Sequence, residues 1–309
     1  MTAPVRLGLV GAGRLAQVGY VPAASAARHV VIAAVADPDL LRGGLVAARA
    51  GGVPVFADAT ALLAGSDVDA LVLASPAAAH VADATAAVAA GVPVLVEKPP
   101  APDRAGAEAL AALDPAPYVA FNRRFDPAVA AVRAAVAPGA EVGLFLEIGY
   151  RRGGWAPHTV ADDALLDLGP HLVDLARWIT GAEVDDVRRV TVTPTHAAFD
   201  LVLGAARARV RCATDRMHHE RVEVRRRDGT SVARHRVGGL VGAVVGRLPS
   251  GRPHPLVASL TAELEAFART VRGTPDPVLG TAADGAAVLA VIDEVRARAL
   301  SDEAHQSEV

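Results

Sequence analysis

The sequence predicts an α/β chain of two domains: a doubly wound parallel sheet with helices on both faces, then an open, mostly antiparallel sheet with helices of its own. Three observations carry that expectation. Up to residue 122, short β-branched runs alternate with Ala-rich helical segments, which is the rhythm of βαβ units. Beyond that point the apolar pattern changes to period two, the pattern of strands with one wet face. The length of 309 residues exceeds the usual size of one domain, and a hydrophobic content of 52% supplies two cores.

The expected strands of the first domain are Val5–Val10, Val30–Val35, Val53–Phe56, Ala70–Ala74, Val92–Val96 and Tyr118–Phe121. Their short apolar runs suit strands buried on both faces. Pro127–Val136 reads as a helix, and Val142–Tyr150 alternates as a strand. Several strand-like runs follow between Asp185 and Arg236, with helices expected at Asp162–Thr180, Pro255–Arg272 and Ala282–Leu300. Ser301–Val309 reads as a frayed tail. The boundary falls after residue 122, giving domains 1–122 and 123–309.

A net charge of -3 and a pI near 6.4 provide no field for nucleic acid. The Arg-rich stretch Arg221–Arg236 is interleaved with Glu223 and Asp228, so it reads as a strand with a solvated face. Cys212 is the lone cysteine, which rules out an intrachain disulfide and suits a reducing compartment. The beginning of the chain lacks the signature of a secretory signal, and no uncharged run is long enough to span a bilayer. A soluble cytoplasmic protein without membrane or nucleic-acid partners is the expectation. His218-His219 lacks metal-ligand spacing, and no metal site is expected.

The first strand runs into Gly11-Ala12-Gly13-Arg14-Leu15-Ala16, a GxGxxA motif opening a helix. The first glycine permits a tight turn, the second lets backbone approach a pyrophosphate, and the helix N-terminus favours the phosphate charge. Asp37 ends the second strand at the spacing where an acid accepts from the adenosine ribose. Asp37 favours NAD over NADP, because a 2'-phosphate would meet a carboxylate and no arginine follows until Arg42.

Ligands of open α/β sheets bind beyond the carboxyl ends of the strands. That rule selects Ser75-Pro76 with His80, then Glu97-Lys98-Pro99, then Asn122-Arg123-Arg124-Phe125. Of the 31 Lys and Arg residues, Lys98 is the only lysine, and Asn122 is the only asparagine. Where arginine serves as the generic surface cation, a surviving lysine marks a site that needs a compact ammonium. In the second domain, Asp167, His171, Asp174 and Trp178 share one helix face, so a carboxylate lies one turn from an imidazole. Such a pair relays a proton near neutral pH. Gly169 and Pro170 imply that the helix kinks or starts there. Tyr150, Arg151, Trp155 and His158 are further polar and aromatic candidates for a substrate face.

The order GxGxxA, strand-end Asp, Ser-Pro with a downstream His, Glu-Lys-Pro, Asn-Arg-Arg-Phe and Asp-x-Gly-x-His-x-x-Asp resembles the Gfo/Idh/MocA oxidoreductase family. The likeness covers nearly the whole chain. It implies an N-terminal Rossmann domain that binds NAD through Gly11, Gly13, Arg14, Leu15, Asp37, Ser75, Pro76, His80, Glu97 and Lys98. It implies a C-terminal substrate domain, homodimers or homotetramers built through its sheet, and Lys98, Asp167 and His171 as catalytic residues. Asn122, Arg123, Arg124, Tyr150, Trp155 and His158 would face a sugar or cyclitol whose carbinol carbon exchanges a hydride with nicotinamide. The sequence departs from the family where Asp162-Asp163 replaces a Gly-Gly and Ala77 replaces an asparagine, which bears on substrate shape. Two alternatives stay open: an NAD-retaining glycosidase or lyase, and a non-catalytic dinucleotide-binding regulator.

Overall fold

The computed structural model describes residues 3–152, 163–238 and 254–307, and the chain divides into two compact units. The first comprises Met1–Phe125 and Pro253–Ala286, the second Asp126–Arg252 and Ala287–Val309.

In the first unit the strands are β1 (Val5–Val10), β2 (Val30–Ala36), β3 (Val55–Phe56), β4 (Ala70–Leu73), β5 (Val94–Glu97), β6 (Tyr118–Ala120) and β13 (Gly280–Thr281). They form one sheet in the order β13-β6-β5-β4-β1-β2-β3. β1 to β6 are parallel, and the short β13 runs antiparallel to β6 at the edge. The order reverses between β1 and β4, the switch point at which doubly wound sheets bind ligands. Helices α1 (Val21–Ala26), α2 (Leu40–Arg49), α3 (Ala59–Gly65), α4 (Ala77–Ala89) and α5 (Arg104–Ala111) connect the strands. Aspartates end the preceding loops: Asp39, Asp58 and Asp103 accept backbone N–H groups at the starts of α2, α3 and α5, satisfying donors the helices leave open.

The second unit holds α6 (Pro127–Ala134), β7 (Val142–Arg151), α7 (Ala164–Thr180), β8 (Asp186–Val192), β9 (His196–Leu203), β10 (Ala206–Ala213), β11 (Asp215–Arg226) and β12 (Ser231–Gly238). Its sheet order is β12-β11-β7-β10-β9-β8, antiparallel throughout except where β10 lies parallel to β7. α7 packs on one face of this sheet. Along β10, Ala208, Val210 and Cys212 are buried while Arg207, Arg209 and Arg211 are exposed, so period-two patterning fixes which face is covered.

α8 (Pro255–Val271) corrects the single boundary expected from the sequence, because it lies in the first unit. Its buried Leu260, Leu264 and Phe267 join the cluster formed by Leu7, Leu9, Tyr20 and Val35. Burial of each such side chain is worth about 1.5–3 kcal/mol, which decides the helix's allegiance. α9 (Ala282–Ser307) begins in the first unit and ends in the second. It continues past Leu300 through most of the tail expected to fray. Pro170 lies inside α7 and does not start it; Asp163 caps the helix earlier by accepting the Leu166 N–H at 2.8 Å. Among the described residues, no helix is long and apolar enough to cross a membrane.

Candidate active site

In the first unit the functional candidates gather at the carboxyl ends of the strands. Gly11 follows β1 with φ +96°, and a Cβ built there would lie 2.6 Å from the Ala74 carbonyl and the Ser75 nitrogen. Only glycine fits that turn. At Gly13 a Cβ would meet nothing within 4 Å, so the second glycine fronts open space. The two glycines thus differ in kind: one lets the chain turn, the other leaves room for a ligand.

Asp37 closes this turn from β2. It is 4% exposed, and one carboxylate oxygen accepts the Ala12 N–H at 2.7 Å and Arg42 Nε at 3.2 Å. The other accepts the Asp39 N–H at 2.9 Å and Arg42 Nη2 at 2.7 Å. Burial pushes its pKa up, but the bonds from Arg42, Ala12 and Asp39 outweigh burial and leave it below the ordinary carboxylate range. Arg14 is half-buried in the turn, and Leu15 packs against the apolar cluster beneath it.

Several of the expected ligand contacts serve the scaffold. Ser75 and Pro76 form the turn after β4, with Pro76 capping α4. His80 is buried, with Nε2 2.8 Å from the Ser75 carbonyl and Nδ1 3.2 Å from that of Pro100, so it ties the β4 and β5 turns together. Burial pushes its pKa below 6.5, against the pull of these carbonyls. Glu97 is also buried: one oxygen accepts the Tyr20 hydroxyl at 2.6 Å and the other the Lys98 N–H at 2.9 Å. Lys98 itself is half-buried at the strand end.

After β6, Asn122 donates to Ser259 Oγ at 3.3 Å and Arg123 is half-buried. Arg124, expected to face substrate, is 4% exposed, pairs with Asp284 at 3.2 Å and lies 5.3 Å from the Phe121 ring centre. A guanidinium so enclosed fastens the start of α9 to this turn.

In the second unit Asp167 and His171 are half-buried one turn apart on α7. Asp167 accepts from the Tyr150 hydroxyl and, at 3.0 Å, from Arg152 Nη2. Tyr150, expected on the substrate face, therefore holds the carboxylate; burial first and the Asp167 charge second push its phenol up to about 12. The Trp178 ring lies under Arg133 at 4.9 Å, a packing role on α6. Trp155 and His158 lie outside the described residues. No group of three or more metal-ligating side chains occurs among the described residues.

Sequence reasoning missed Tyr20, Glu263, Arg42's bond to Asp37, and Arg152. Two signals were present. Glu263 interrupts the apolar stripe Leu260, Leu264, Phe267 of α8, and it is fully buried. Period two continued one residue past the end of β7 puts Arg152, not Arg151, on the face of Tyr150.

Residues 5–115 match the family model described as "Oxidoreductase family, NAD-binding Rossmann fold", GFO_IDH_MocA. The chain is 36% identical over 192 residues to an inositol 2-dehydrogenase of Acidothermus cellulolyticus, covering 60% of this chain and 56% of the relative. It is 32% identical over 202 residues to the rhizopine catabolism protein MocA of Rhizobium meliloti, covering 62% of each. The match thus spans less than two thirds of these relatives' length. Apo scyllo-inositol dehydrogenase from Lactobacillus casei superposes with a TM-score of 0.79 at 20% identity over 96% of each chain. The same enzyme with bound NAD(H) and scyllo-inositol superposes with a TM-score of 0.75 at 18% identity, over 94% of this chain and 95% of the enzyme. These likenesses establish a shared fold.

Proposed function

The chain belongs to the Gfo/Idh/MocA family through its N-terminal domain, and on that premise we propose that it is an NAD-dependent oxidoreductase acting on a carbinol carbon of a cyclitol or sugar. The observation that carries the reading is the turn at β1, where open space over Gly13 adjoins a buried, ionised Asp37. That turn suits a dinucleotide: Gly11 and Gly13 would admit its pyrophosphate, and Asp37 would accept from its ribose. When bound, nicotinamide supplies the hydride acceptor or donor.

The chain's own residues do the rest. In the oxidation direction His171 takes the hydroxyl proton, while Asp167 steadies and charge-balances the imidazolium from one turn away. Tyr150 and Arg152 hold Asp167 in place. Lys98 offers an ammonium to the substrate oxygen as negative charge develops on it. Asn122 and Arg123 are the remaining strand-end candidates for substrate contact. NAD(H) is preferred over NADP(H), because Asp37 opposes a 2'-phosphate. Arg42 neutralises part of that carboxylate and keeps the preference modest.

The polyols named for the relatives set the first substrates to test. The reading places the protein in the cytoplasm, where a free Cys212 is at home, and has copies associate through the open sheet face of the second unit. A panel of inositols, aldoses and ketosugars, followed by nicotinamide absorbance with NAD and NADP, tests it. Reduction of NAD by at least one polyol, faster than of NADP, is expected. Tight dinucleotide binding without turnover on any member would favour the binding-only regulator.

A further inference from the structure

The carboxylate that would receive an adenosine ribose is already occupied. A carboxylate offers roughly four lone-pair positions. At Asp37 each has a donor: one oxygen accepts the Ala12 N–H at 2.7 Å and Arg42 Nε at 3.2 Å, and the other accepts the Asp39 N–H at 2.9 Å and Arg42 Nη2 at 2.7 Å. With Asp37 only 4% exposed, no solvent-facing edge remains for a further donor. A ribose hydroxyl must therefore displace one of these groups.

The donors are not equally fixed. Those of Ala12 and Asp39 are backbone N–H groups, held by the turn and the loop. The backbone of Arg42 is fixed as well: Asp39 accepts the Leu41 and Arg42 N–H groups at 3.1 Å each, and a Cβ on Gly43 would meet Val55 on β3 at 2.8 Å. Only the Arg42 side chain is placed to leave. It is 37% exposed, and its Nη1 lies 3.7 Å from the carboxylate of Asp39, which is 50% exposed. A second, half-solvated carboxylate is thus within reach of a guanidinium that gives up Asp37.

We propose that Arg42 is the cofactor-specificity residue of this turn: its guanidinium competes with the adenosine ribose for the same positions on Asp37 and, once displaced, pairs with a 2'-phosphate, so that the chain accepts NADP(H) as well as NAD(H). This rests on the reading of the glycine turn as a dinucleotide site. Arg42 acts on the two cofactors with opposite sign. Ribose hydroxyls replace a charge-assisted, two-pronged donor with neutral ones of roughly half the strength, so Arg42 weakens the binding of NAD(H). A 2'-phosphate meets the charge of Asp37 but gains the fork of Arg42, whose geometry matches it.

Titration of the protein with NADH and with NADPH, followed by the fluorescence of the bound nicotinamide, reads both affinities without turnover. Arg42→Met removes the fork and keeps an apolar stem and a good helix former. It should tighten NADH about threefold and weaken NADPH about tenfold, opening the ratio of the two dissociation constants by about thirtyfold. Arg42→Lys keeps a cation that can meet a phosphate, and it should weaken NADPH less than Arg42→Met does. Thermal unfolding of both variants shows whether α2 still starts as it should. Parallel changes in the two affinities, or no change, in folded Arg42→Met overturn the proposal and leave the dinucleotide reading intact. Failure of the unaltered chain to bind either cofactor overturns both.

Discussion

The two sheets of this chain handle polar residues in opposite ways. In the first unit the central strands are buried on both faces, and β4 and β5 have no exposed position. Polar groups are confined to the strand ends, where Asp37, His80 and Glu97 are each buried and each bonded to named partners. In the second unit one sheet face is open, and charges cover it. Glu223 on β11 is bonded by Arg221, Arg225 and Arg236, while Arg221 and Arg225 lie 5.2 and 5.4 Å from the Phe145 ring centre on β7. Asp200 on β9 likewise pairs with Arg209 and Arg189. Desolvation at a strand end gives a carboxylate leverage over a ligand or neighbour. A charge lattice on an open face cancels itself and serves the surface.

If that division holds, the deepest loss follows from the acid–histidine pair of α7. His171→Ala and Asp167→Ala should each lower turnover by about a hundredfold to ten-thousandfold, with dinucleotide affinity nearly unchanged in a titration, because neither belongs to the glycine turn. Near-normal turnover in both would make the pair structural. The glycines sharpen the contrast within the first unit. Gly11→Ala meets backbone and a positive φ, so thermal unfolding should report a loss of about 2 kcal/mol or more. Gly13→Ala should leave stability within about 1 kcal/mol and weaken dinucleotide binding at least about tenfold, since its Cβ enters open space. Undiminished binding in Gly13→Ala would remove the pyrophosphate from that turn.

The open face should respond in stability and not in chemistry. Glu223→Gln should cost about 1–3 kcal/mol in denaturant unfolding and leave turnover alone, its arginine partners being partly solvated. Desolvation acts to raise the Glu223 pKa, but its bonds from Arg236, Arg221 and Arg225 carry it down to about 2. With the folded value depressed, its contribution is complete above the unfolded value of 4.5 and drains away as pH falls toward about 2. Unfolding measured across that window should show a gentler slope in Glu223→Gln.

Much of this was legible in the sequence because the signals are local. Gly11, Asp37 and Lys98 are read from strand-end positions, and the six parallel strands from apolar runs a few residues long. What the sequence hid depends on partners far along the chain. Arg124 looks like a strand-end cation, yet Asp284 encloses it from 160 positions away. Tyr20 looks like a helix aromatic until a π-helical turn, Ala16–Tyr20, brings it to Glu97. α8 joins the first unit because its stripe of Leu260, Leu264 and Phe267 fits that core. Periodicity shows that a helix has an apolar face and does not say which sheet receives it.

Lys98 offers the most direct test of whether chemistry resides at the strand ends of the first sheet. As the only lysine, it is the one side-chain amine that an amine-directed reagent can modify besides the N-terminus. Activity should fall in proportion to modification of Lys98, and bound NAD should slow both together. Lys98→Arg, which keeps the charge but not the compact ammonium, should lose turnover nearly as deeply as Lys98→Met. Complete modification of Lys98 with full activity retained would contradict the placement of the active site at this strand end.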